Sequence, residues 1–146
     1  MKALILAIAV VISMGLVQCG SESYSHNANT LPDNAKNLIS QNFASAISVV
    51  KEESNTFGQK EYEVVLADGT EVTLNGHGEW KNIETPNNHA VPRALVPKPV
   101  MEYVAQNHAG ASIVGIEKDK KGYEVTLSNG VEIEFNQDGG FLKYDH

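Results

Sequence analysis

Two periodicities alternate along this chain. Apolar positions first recur at helical spacing, at Ala35, Leu38, Ile39 and Phe43, and later at Val100, Tyr103, Val104 and in the slot taken by His108. Each set follows a proline suited to a first helical turn, Pro32 and Pro97. One amphipathic helix is expected in each place. The period then drops to two: Tyr62, Val64 and Leu66 share one face of a strand with Val72 and Leu74, and Tyr123 and Val125 share one with Ile133 and Phe135. Ile47 to Lys51 and Ile113 to Glu117 are β-branched stretches that suit a first strand, with their register left open.

The alternation also selects the turns. A two-residue Asp68-Gly69 turn pairs Leu66 with Glu71 and sets an apolar residue against a charged one. A three-residue loop, Ala67-Asp68-Gly69 with Gly69 left-handed, pairs Leu66 with Thr70, Val64 with Val72 and Tyr62 with Leu74. The same reasoning gives Ser128-Asn129-Gly130, which pairs Val125 with Ile133 and Tyr123 with Phe135. It also gives Gly76-His77-Gly78 and Gln137-Asp138-Gly139, which put Leu74 opposite Trp80 and Phe135 opposite Phe141. Asp68, Asn129 and Asp138 are turn formers before they are candidates for chemistry.

These segments match in pairs. Leu31-Pro32 through Gln41-Asn42-Phe43-Ala44 aligns with Val96-Pro97 through Gln106-Asn107-His108-Ala109, and Tyr62 to Asn75 aligns with Tyr123 to Asn136. The offset shrinks between the blocks, so the first copy carries extra residues around Ser54 to Gln59, expected as a longer turn. The expected fold class is α+β: two tandem helix-plus-four-stranded antiparallel repeats forming one eight-stranded sheet with both helices on one face, because about 50 residues bury too little apolar surface alone. The expected boundaries are a signal over 1–19, a flexible tether over 20–30, repeat 1 over 31–83, a linker over 84–95 and repeat 2 over 96–146.

The N-terminus sets the compartment. Lys2 followed by the mostly apolar run Ala3 to Val17 reads as an export signal. The run falls short of the roughly 20 residues of a bilayer-spanning helix. Cys19 is the only cysteine, which excludes an intramolecular disulfide. Leu16-Val17-Gln18-Cys19 resembles a bacterial lipobox, although Gln18 replaces its usual small residue. Cys19 is either lipidated or merely near an ordinary cleavage site, and both readings give export to the periplasm or a tether at the outer membrane. Loss of Lys2 takes the net charge from −7 to −8. Nucleic acid is therefore excluded as a partner, since its phosphates need lysine and arginine.

The ordered set of Leu-Pro-helix-Gln-Asn, Tyr-Glu-Val, Asp/Asn-Gly-x-Glu-Val/Ile and Asn-x-x-Gly-x-Trp/Phe blocks resembles the PepSY-like, β-lactamase-inhibitor-like domain of small secreted bacterial proteins, over nearly all of residues 31 to 145. The resemblance implies two helix-and-four-strand repeats whose sheet forms a concave surface. It implies no target. The inhibitory loops of the true inhibitors have no residue-by-residue counterpart here, and those proteins use disulfides.

No catalytic residue, cofactor or metal site is expected. His26, His77, His89, His108 and His146 show no ligand spacing, and no nucleophile elbow, P-loop or dinucleotide fingerprint is present. His108 stands where Phe43 stands in the first copy and is expected to be a partly buried helix-end residue. Trp80 and Phe141 are expected to face the core. Residues alternating with the core set are Glu61, Glu63, Val65, Glu71, Thr73, Glu79 and Lys81, then Glu124, Thr126, Glu132, Glu134, Leu142 and Tyr144. Glutamate is a poor strand former, yet it dominates this face. Either the face is simply solvated, or it recruits positive charge. The candidate partner-binding residues are Glu63, Glu71, Glu124, Glu132, Glu134 and Tyr144. The expected function is that of an exported, non-catalytic protein-binding module acting on another cell-envelope protein, touching the membrane only through a lipid on Cys19. The alternative is a cation-binding or structural envelope protein.

Overall fold

Each helix starts where its proline puts it. In the computed structural model, which describes residues 21–86 and 89–145, α1 spans Asp33–Asn42 and α2 spans Lys98–Asn107, with Pro32 and Pro97 as N-caps. Neither proline offers a capping side chain, but their carbonyls accept from the amides of Lys36 and Met101 at 3.1 Å. Phe43 and His108 close the helices, donating their amides to Ile39 and Val104. Each helix buries an i, i+4 pair, Ala35 with Ile39 and Val100 with Val104.

The strands are β1 (Ser21–Ser25), β2 (Ile47–Ser54), β3 (Lys60–Leu66), β4 (Glu71–Asn75), β5 (Trp80–Glu84), β6 (Ile113–Lys118), β7 (Gly122–Leu127), β8 (Glu132–Asn136) and β9 (Phe141–Asp145). They form one antiparallel sheet in sequence order, with nine strands where eight were expected. The additional strand, β1, lies in the stretch read as a flexible tether. Its alternation of serine with Glu22 and Tyr24 lets it pair along β2, where Glu22 faces Glu53 and Tyr24 faces Lys51. Lys51 holds it there with its ammonium 3.8 Å from Glu22 and 5.8 Å above the Tyr24 ring. A short 3-10 turn, Ala28–Thr30, then leads to α1. The signal and Cys19 lie outside the described residues.

The turn assignments hold. Val64 pairs with Val72 and Tyr62 with Leu74, Val125 pairs with Ile133 and Tyr123 with Phe135, and Leu74 and Phe135 face Trp80 and Phe141. Gly69, Gly78, Gly130 and Gly139 all take positive φ, between 81° and 91°. At two of these turns an asparagine organises the loop: the Oδ1 of Asn75 accepts from the amides of His77 and Glu79, and that of Asn136 from Asp138 and Gly140. Asn55 does the same for Phe57 and Gln59. The β2–β3 connection is therefore another three-residue turn, Thr56-Phe57-Gly58, and the longer loop expected there is a longer hairpin instead. Its extra residues continue the ladder, with Glu53 opposite Glu61 and Ser54 opposite Lys60.

The ladder slips at four places, each an extra residue on one strand: Ser48, Lys81, Val114 and Leu142. Such bulges reverse the pleat, so residues beyond them change face. Inside, Val50, Val64, Leu66, Val72, Leu74, Ile83, Ile116, Val125, Leu127, Ile133 and Phe135 form one cluster with the buried residues of both helices. Side chains of these kinds contribute roughly 1.5–3 kcal/mol each when fully buried. Thr85 and Val91, in the linker, donate their amides to Val114 and Ile113 at 2.8 Å and dock that segment on β6.

Candidate functional site

The face turned away from the core cluster is set by the same registers. One row of side chains crosses it through Val65, Glu71, Glu84, Gly115, Thr126, Glu132 and Asp145. The next runs through Lys51, Glu63, Thr73, Asn82, Glu117, Glu124, Glu134 and Lys143. Glu71 thus faces Glu84, and Glu117, Glu124 and Glu134 stand side by side. Like charges directly opposite each cost a few tenths to about 1 kcal/mol. Positive charge is sparse here: Lys143 reaches Glu134 at 3.1 Å and Lys51 pairs with Glu53 and Glu22.

The crowding is legible in the protonation of the carboxyls. Partial burial, then Glu84 and Glu63, push Glu71 from 4.5 to about 7. Glu124 is raised by burial first and then by Glu117, Glu132, Asp145 and Glu134. Carboxylate oxygens of Glu124, Glu134 and Asp145 lie within 4.8 Å of one another, a spacing that suits a hard divalent cation.

Five of the six candidate residues, Glu63, Glu71, Glu124, Glu132 and Glu134, lie on this face. Tyr144 does not. Leu142 is the extra residue of a bulge, so Lys143 faces Glu134 and Tyr144 faces Ile133 on the core side. There its hydroxyl lies 3.0 Å from both the Tyr103 hydroxyl and His108 Nε2. That hydrogen bond, followed by burial, raises Tyr103 to about 12. His108 is half-buried at the end of α2, as its place in the alignment suggested. Trp80 is half-buried beneath the ammonium of Lys118, at 4.5 Å. Phe141 stays 40% exposed but stacks on Tyr103 at 4.8 Å between centroids. The pattern of alternation missed the carboxylates Glu84, Glu117 and Asp145 of this face, and with them Lys51, Asn82, Gly115 and Lys143.

Residues 60–143 match the family described as "Putative beta-lactamase-inhibitor-like, PepSY-like". The chain belongs to this PepSY-like family. Among solved structures it is similar to a "putative periplasmic protein of unknown function" from Bacteroides vulgatus, at 37% identity over 86% of this chain and 100% of that one, with a TM-score of 0.81. A second "putative periplasmic protein" of the same organism, from the DUF2874 family, is 31% identical over 86% of this chain and 98% of its own, with a TM-score of 0.79. A "putative calcium-regulated periplasmic protein" from Bacteroides thetaiotaomicron is also 31% identical, over 86% and 97%, with a TM-score of 0.79. No curated protein matches this chain. These three solved structures are each described as a "putative" periplasmic protein, in keeping with the compartment that the N-terminal segment predicts.

Proposed function

We propose that this PepSY-like protein is an exported, non-catalytic binding module, built as two tandem helix-and-strand copies with both helices on one face of the sheet and the acidic face left to bind. Its partner is a basic segment of another cell-envelope protein, which it inhibits or regulates, and a lipid on Cys19 tethers it. The observation that carries this reading is the row Glu117, Glu124, Glu134, three carboxylates in direct cross-strand register with one lysine at its edge. A solvated face needs no such arrangement, and the mutual repulsion is relieved when a cation supplies the missing charge. The matching positions of the bulges at Ser48 and Val114, and at Lys81 and Leu142, support the tandem reading.

A second reading, regulation by calcium, is favoured by the Glu124, Glu134 and Asp145 cluster together with the calcium-regulated relative. One pair of measurements separates them. Cross-linked envelope is captured with the native chain and with a Glu132→Lys, Glu134→Lys variant, and the melting temperature is read with and without calcium chloride. A salt-sensitive partner lost in the variant supports the protein-binding reading, and unchanged capture removes it. A calcium-dependent rise in melting temperature that Asp145→Asn abolishes supports the second, because a ligand that binds only the folded state stabilises it.

A further inference from the structure

Phe57 is 89% exposed and Tyr24 67%, more than any other large apolar or aromatic side chain among the described residues. Both flank the place where the chain enters the sheet. Ser21 pairs with Ser54, two residues before the turn that carries Phe57, so β1 begins about one strand spacing, roughly 5 Å, from the end of the β2–β3 hairpin. The twenty residues before Ser21 include the apolar run Ala3 to Val17 and Cys19.

The hairpin is built to project. Beyond the Lys51 and Glu63 pair the ladder continues through Glu52, Glu53 and Ser54, whereas beyond the corresponding Glu117 and Glu124 pair β6 ends at Lys118 and the chain turns through Lys120 and Lys121. The β2–β3 tip therefore reaches about two residues further, roughly 7 Å at strand rise. Its backbone is closed on itself: Asn55 accepts from the amides of Phe57 and Gln59 through its side chain and from Gly58 through its carbonyl, and its own amide donates to Gln59. Leaving bulk water thus strands few polar groups at the tip. Nor is the tip strongly charged. Lys51, Lys60 and Lys81 pair with Glu53, Glu52 and Glu61, and Lys51 also reaches Glu22, which leaves four carboxylates against three ammonium groups in a chain of net charge −7.

We propose that the tip of the β2–β3 hairpin docks on the lipid surface to which the proposed lipid on Cys19 leads, with Phe57 among the head groups and Tyr24, opposite Lys51 and three ladder positions behind Ser54, at the outer edge of the interface. Aromatic side chains favour this zone. The occupant is a bilayer and not a protein because β1 begins two residues after Cys19, where the proposed lipid is attached. Phe141 and Leu142 belong to the opposite edge strand and take no part. Held in this way, the acidic face stands clear of the bilayer.

This inference rests on the proposed tether, and the test separates the two. The full chain carrying Trp80→Phe is given a single reporter, either Phe57→Trp at the tip or Asn129→Trp in a turn at the other end of the sheet. Each variant is mixed with vesicles of phosphatidylethanolamine and phosphatidylglycerol, with and without dibrominated phosphatidylcholine, and floated on a density gradient. The expected result is flotation of both, a blue shift and loss of most of the emission for Phe57→Trp in brominated vesicles, and no loss for Asn129→Trp. Flotation with equal quenching, or none, at the two positions overturns the docked tip and leaves the tether standing. A chain that does not float overturns both. Phe57→Ser without a reporter is expected to desorb roughly tenfold faster or more, from the transfer free energy of a phenylalanine side chain, and an unchanged rate counts against the tip as well.

Discussion

Glu71 makes the acidic face measurable. Its carboxyl is pushed from 4.5 to about 7 by partial burial, by Glu84 opposite and by Glu63. The folded chain therefore holds a proton that the unfolded chain has released, and stability falls as pH rises through that interval. The penalty is absent below about 4.5 and complete above about 7. A rise of that size corresponds to about 3 kcal/mol at full weight. The side chain keeps partial contact with water, and screening reduces this to about 1 kcal/mol. Glu71→Gln keeps the shape and removes the charge, so it is expected to stabilise the protein by about 1 kcal/mol near pH 8 and to leave it unchanged near pH 4. Urea unfolding followed by far-ultraviolet circular dichroism at the two pH values gives the comparison directly. If the substitution shifts stability equally at both, or destabilises only at the higher pH, the Glu71 carboxyl is not under the repulsion argued here. The same linkage reaches binding: a cationic partner on this face favours the ionised form, so its affinity should climb through the same pH interval.

Two further outcomes test the fold around the site. Tyr144→Phe removes the hydroxyl shared by Tyr103 and His108 and should cost about 1 kcal/mol in thermal unfolding while leaving binding at the acidic face intact, whereas lost binding would return Tyr144 to that face. Gly78 and Gly130 have nearly the same φ, +81° and +85°, but a Cβ at Gly78 would stand 2.7 Å from the Ala35 amide nitrogen in α1 while one at Gly130 meets nothing within 4 Å. Gly130→Ala should therefore cost about 1 kcal/mol for backbone conformation alone, and Gly78→Ala clearly more; equal losses would show that the β4–β5 turn does not press on the helix.

The registers of β3 with β4 and of β7 with β8 could be read from the chain because Tyr62, Val64, Leu66, Val72 and Leu74, and their counterparts, leave one pairing that keeps apolar residues together. β1 could not be read that way. Ser-Glu-Ser-Tyr-Ser has no apolar face, and what holds it is Lys51, a residue that the chain places far away in sequence. The bulges were missed because alternation was carried straight through them. They did leave a trace: Ile47 and Val50, Trp80 and Ile83, Ile113 and Ile116, and Phe141 and Tyr144 are core-side pairs three apart, a spacing a regular strand cannot present on one face. The five acidic candidates lie on the face that alternation assigned them because none lies beyond a bulge. Tyr144 lies on the other face because it does.

The bulge at Leu142 links the two faces of the PepSY-like sheet. With regular alternation through β9, Leu142 and Tyr144 would face outward, leaving Lys143 and Asp145 among apolar neighbours. One inserted residue reverses this: Tyr144 turns inward to join Tyr103 and His108, and Asp145 turns outward to stand beside Glu124 and Glu134. The place of Asp145 in the acidic cluster and the hydrogen-bonded cap on α2 thus both follow from one irregularity in an edge strand. Glutamates that merely kept the sheet soluble could sit anywhere on it and alternate with lysines, as the pairs around the β2–β3 hairpin do. Here the carboxylates gather instead in direct register on β6, β7 and β8, with Asp145 added by the bulge and Lys143 as the counterweight at the edge. Crowding of like charge that burial has already made costly is the repulsion that the proposed positively charged partner would relieve.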